Sequence, residues 1–126
     1  MSSPASSSTY MLLLRQPAGP IPPPEELQKI MARFQTWMDG LSAKGMVVGT
    51  NGLDVTGKVL RGRRGATITD GPFAETKEVI GGYVLISAAS LEAAVEAARD
   101  CPGLDYGMAV EVRPVRPRPA PRESRS

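Results

Sequence analysis

The side chains able to do chemistry gather in two stretches of the chain. The run Thr69 to Tyr83 holds Asp70, Glu75, Lys77 and Tyr83 with Phe73 among them, and a later strand adds Glu111 and Arg113. Carboxylates beside cations can accept a proton or anchor a polar ligand, and aromatic rings can wall such a pocket. Asp70 is therefore the candidate catalytic residue, and Phe73, Glu75, Lys77, Tyr83, Glu111 and Arg113 are the candidate ligand contacts. Each also has a plainer role. Asp70 can hydrogen-bond its own turn, Glu75 and Lys77 can form a rim salt bridge, Glu111 and Arg113 can pair across an interface, and Phe73 can pin its loop. The sequence contains no histidine, which excludes Ser-His-Asp and Cys-His catalysis and His-based zinc sites. No metal and no organic cofactor are expected. The single cysteine, Cys101, cannot form an internal disulfide and reads as a packing residue.

The elements that must position these groups follow from local pattern. Tyr10-Met11-Leu12-Leu13-Leu14 is a short apolar run ending at Arg15, the signature of a strand covered on both faces. A proline-rich connection leads to Pro24, suited to the first position of a helix, with Glu25 and Glu26 at the positive end of its dipole. From Glu25 to about Lys44, Leu27, Ile30, Met31, Phe34, Trp37, Met38 and Leu41 form one apolar stripe, and Gly45 stops the helix. On such a stripe Trp37 and Met38 are core residues rather than cofactor contacts. A strand begins at Met46-Val47-Val48. Lys58 to Arg61 and Ala66 to Thr69 then read as a β-hairpin with Arg63 and Arg64 at its tip. A Gly-x-x-Gly phosphate clamp of the KH type would lie between helices, and this loop lies between strands. Asp70-Gly71-Pro72 is a turn in which Pro72 ends the strand, and Gly81-Gly82 allows a close backbone approach. Tyr83 to Ile86 is a second apolar strand. Ser90 caps a helix carrying Leu91, Ala94, Val95 and Ala98, and Met108 to Arg113 alternates as an edge strand ending at Pro114.

This order is βαββαβ with an inserted β-hairpin: an α+β, ferredoxin-like domain with its helices on one sheet face. Two central strands are apolar on both sides, so the other face needs a cover from outside this layer. A homodimer packed face to face supplies it. Glu111 and Arg113, opposite the Met108, Val110 and Val112 face, then point into the intersubunit cleft. Asp70, Glu75 and Lys77 close that cleft as a rim.

At 126 residues and 41% hydrophobic composition, the chain fits one domain with an aliphatic core. Residues 9–115 form that domain between two disordered tails, 1–8 and a Pro/Arg-rich 116–126. The net charge of +2 belongs to the second tail, where four arginines against one glutamate contribute +3 and leave the body at −1. That tail has no interleaved aromatics and no recognition module, so direct nucleic-acid binding is not expected. No apolar run reaches the roughly 20 residues of a membrane span, and residues 1–8 lack the features of a secretory signal. A cytoplasmic protein is the expectation.

The run Asp70-Gly71-Pro72-Phe73-Ala74-Glu75-Thr76-Lys77-Glu78, followed by Gly81-Gly82-Tyr83, resembles the signature of the DGPF (DGPFAETKE) branch of the YCII-related family. Tyr10 to Leu14 and Val110 to Val115 are similar to that family's first and last strands, so the resemblance spans about Thr9 to Val115. It implies a ferredoxin-like domain pairing into a dimeric α+β barrel, with activity mostly unassigned. It also implies a genetic association with extracytoplasmic-function sigma factors. The relatives' suspected His–Asp dyad cannot operate in a chain without histidine. Two functions are expected in competition. One is a small-molecule-binding protein or cofactor-independent proton-transfer enzyme of isomerase or lyase type, working in the dimer cleft. The other is a regulatory or interaction protein with a sigma factor as possible partner.

Overall fold

The computed structural model describes residues 7–71 and 77–117. Four strands, β1 (Ser8–Pro17), β2 (Val47–Gly52), β5 (Glu78–Ala88) and β6 (Ala109–Pro114), form one sheet in the order β2-β5-β1-β6. All neighbours are antiparallel. Among the described residues, the strands β3 (Gly57–Arg61) and β4 (Thr67–Gly71) pair only with each other in a separate two-stranded sheet, joined by a 3-10 turn at Arg63–Gly65. With helices α1 (Pro24–Ala43) and α2 (Leu91–Arg99), this is an α+β architecture compatible with a ferredoxin-like fold.

Helix α1 starts without a side-chain cap, because Pro24 at its first position has no N–H to satisfy and Glu25 and Glu26 complement the dipole. It ends in a Schellman motif. Gly45, at φ +72, sends its N–H to the Ser42 carbonyl while the Met46 N–H reaches back to Leu41. Helix α2 is capped by Ser90, whose Oγ accepts from the Ala93 N–H at 3.1 Å.

Both helices cover one sheet face. Leu12, Val84 and Ile86 are fully buried there beneath Trp37 and Leu41 of α1 and Ala94 and Ala98 of α2. The Trp37 indole N–H donates to the Ala97 carbonyl at 3.0 Å, which satisfies its polar edge and ties the helices together. Phe34 meets Trp37 edge to face with centroids 6.0 Å apart.

Several expected boundaries move. β1 extends beyond Leu14, because a register shift between Leu14 and Arg15 keeps Arg15, Gln16 and Pro17 opposite Ile80, Val79 and Glu78. For the same reason β5 begins at Glu78, so that residues 78–82, expected as part of a connection, belong to the strand. Ser8 belongs to β1 rather than to a tail. On α2 the burial falls on Ala94 and Ala98, while Leu91 and Val95 are 42% and 38% exposed. The small side chains let the helix lie close to the sheet and leave the bulkier pair at its flank. On α1, Met31 likewise stands outside the core. Among the described residues, no helix is long and apolar enough to cross a membrane.

Candidate functional site

The strand alternation that buries Tyr10, Leu12, Val84 and Ile86 turns their neighbours to the opposite face, which neither helix covers. Register across the sheet builds that face in rows. Asn51, Tyr83, Leu13 and Glu111 are directly opposite one another on β2, β5, β1 and β6. The next row places Gly49, Leu85, Met11 and Arg113 side by side. Met11, Leu13, Tyr83 and Leu85 are all half-buried, forming an apolar strip with polar groups at both margins.

At one margin, the Asn51 Nδ2–H donates to the Tyr83 hydroxyl at 2.9 Å, and the Thr50 hydroxyl donates to the Tyr83 carbonyl at 2.9 Å. Because the Tyr83 oxygen already accepts from Asn51, its own proton is available to a ligand oxygen above the sheet. At the other margin Arg15 bridges two carboxylates, Glu78 Oε1 at 2.7 Å and Glu111 Oε1 at 3.3 Å. Glu111 also faces Arg113, whose Nε lies 3.9 Å from its second oxygen. Two guanidiniums thus hold the Glu111 carboxylate on the open face. The four side chains are half-buried to exposed, so each pair is worth at most about 1 kcal/mol and can reorganise around a ligand.

Of the residues selected from the sequence, the structure brings Tyr83, Glu111 and Arg113 to this face. Asp70 lies elsewhere: on β4 its side chain is 85% exposed and pairs with Lys58 at 2.5 Å. Lys77 is exposed just before β5, where its carbonyl accepts from the Ala18 N–H. Phe73 and Glu75 lie outside the described residues, as does the tail from 118 onward. Arg15, Glu78 and Asn51 were not among the selected residues, although they organise the site. A signal for Arg15 exists in the sequence, since Thr9, Met11, Leu13 and Arg15 share one parity along β1.

Cys101 is buried, and desolvation pushes its thiol upward, which leaves it a protonated packing group. Arg33, on the exposed side of α1, is raised by hydrogen bonds to Asp105 and Tyr106. Among the described residues, no group of three or more His, Cys, Asp or Glu could hold a metal ion. Among the described residues, two hollows lie on the helix side of the sheet; Asn51 reaches one of them, and neither is lined by Asp70, Lys77, Tyr83, Glu111 or Arg113.

Comparison with known proteins adds two findings. A family model described as "YCII-related domain" matches residues 8–118. An uncharacterized protein of Rhizobium meliloti is 48% identical over 58 residues, a stretch covering 44% of this chain and 47% of that protein. The match therefore spans about half the length of that relative.

Proposed function

The chain belongs to the YCII-related family, and from that premise we propose that it is a homodimer binding a small polar molecule in a cleft between two open sheet faces. The Asp70 to Glu78 signature supports placing it in the DGPF branch. The observation that carries the reading is the face left open by the described residues, where an apolar strip is bordered by the Arg15, Glu78, Glu111 and Arg113 cluster on one side and by the Asn51–Tyr83 hydrogen bond on the other. A second copy would bury Met11, Leu13 and Leu85, and a seam of roughly 1,600 Å² would make the pair stable. Its exclusion of water would strengthen every charge interaction in the cleft.

The ligand that suits these margins carries a carbonyl or carboxylate, taking the Tyr83 proton and the Arg113 guanidinium. Glu111, steadied by Arg15, is then a carboxylate placed to accept a proton from the bound molecule, without an organic cofactor. Asp70 enters this reading only as a residue supplied across the dimer seam, because within its own chain it is exposed and paired with Lys58. The two-stranded sheet that carries it is the inserted element of a dimeric α+β barrel.

The test combines mass and binding. Sedimentation of the wild type should give twice the 13.4 kDa chain mass. A thermal-shift screen of small carboxylic and carbonyl compounds should identify ligands that stabilise the wild type but not Glu111→Gln or Tyr83→Phe. Asp70→Asn separates the contribution of the two-stranded sheet from that of the face. A monomer in solution, or ligands indifferent to both face variants, would refute the proposal.

A further inference from the structure

On the other side of the sheet, the connection from β1 to α1 arches over a cavity of about 710 Å³. Its walls are Leu14 from β1 and Ile30, Met31 and Phe34 from α1, and its floor is the bare backbone of Gly81 and Gly82. Its size lies within the range of small-molecule pockets. None of the described residues lining it is charged, although charged residues make up 22% of the chain. Pro17 at the end of β1, and Pro20 and Pro22 of the connection, add apolar ring surface and no backbone donors.

We propose that this cavity binds an uncharged, predominantly apolar small molecule, at a site on the helix side of the sheet that shares only Asn51 with the open face. The lining chemistry selects the class. An ion placed here would lose water and meet no counter-charge, whereas an apolar body would gain from leaving water. Four polar but uncharged side chains, Gln16, Thr50, Asn51 and Tyr106, stand among the lining residues. Gln16 presents its carboxamide at the wall, and a Cβ on Gly81 would overlap its Oε1, so the absence of a side chain at residue 81 is what gives Gln16 this place. A carboxamide donates and accepts but carries no charge, which suits a neutral hydroxyl, carbonyl or amide on the ligand.

The probe is the uncharged dye N-phenylnaphthylamine, titrated into the full chain and followed by its fluorescence. Saturable binding of one dye per chain is expected, with the anionic anilinonaphthalene sulfonate roughly tenfold or more weaker. Met31 and Ile21 line the cavity but are 59% and 74% exposed, so Met31→Glu and Ile21→Glu introduce a carboxylate without opening the core. Both should keep wild-type circular dichroism and lose roughly tenfold or more in dye affinity. Leu13→Glu, on the opposite sheet face, should bind the dye as the wild type does even if it no longer dimerises. Non-saturable binding, equal affinity for the anionic dye, or wild-type affinity in both cavity variants would overturn the proposal. So would loss of the dye in Leu13→Glu alone, which would move the dye to the open face.

Discussion

Arg15 concentrates the electrostatics of the open face, since among the described residues it alone bridges Glu78 and Glu111. Replacing it by methionine keeps the stem that lies along the strand and removes the charge. Because all three side chains are about two-fifths exposed, Arg15→Met should lower stability by about 1 kcal/mol or less in urea titrations. Its effect on ligand binding should be larger, because Glu111 loses the nearer of the two guanidiniums that hold it. At Cys101 the sign is set by burial. A thiol pKa raised in the folded state contributes stability that is present below about pH 8.5 and is lost as pH rises through the folded value. Iodoacetamide should therefore modify the native protein slowly at pH 8 and the urea-unfolded chain quickly, and equal rates would contradict a buried thiol. At this scale the sequence was informative where alternation alone decides, as for Glu111 and Arg113. It was silent where partners come from another strand: the Arg15 bridge and the Asn51–Tyr83 bond depend on register across β2, β5, β1 and β6, which no single segment encodes.

The two helices depend on different terminators. Ser90→Ala removes the one side-chain cap of α2 and should cost about 1 kcal/mol. Gly45→Ala forces a Cβ onto a left-handed residue of the Schellman turn and should cost about 1–2 kcal/mol. Both are measurable by chemical denaturation. Gly82 matters to β5 in another way. A Cβ there would come within 2.9 Å of the Asn51 carbonyl oxygen, so Gly82→Val should loosen β2 and the Asn51–Tyr83 bond together, visible as faster amide exchange at Asn51. Element order, the α1 stripe and the Ser90 cap were legible because each is local. The extra length of β1 and β5 was not, because a bulge restores pairing after Leu14 and each strand is prolonged only by the other. The Leu91 and Val95 exposure was also hidden, since periodicity marks an apolar side of α2 without saying how closely alanines draw it to the sheet.

For the molecule as a whole, the helix-covered face and the face that the described residues leave open divide the labour. The first holds the fully buried core and the charge-free cavity, and the second holds the charged cluster and the apolar strip. Leu13→Glu places a carboxylate beside Glu111 at the centre of the proposed seam, so it should yield 13.4 kDa particles by light scattering with the secondary structure intact. The sole tryptophan, Trp37, is clamped between the helices by its bond to Ala97. Its emission is thus an optical gauge of the helical layer: it will redden when α1 and α2 come apart, and stay silent when two copies merely separate. A fluorescence melt that looks unimolecular therefore carries no information about stoichiometry, which must be read from hydrodynamic mass or from a second fluorophore installed on the uncovered side.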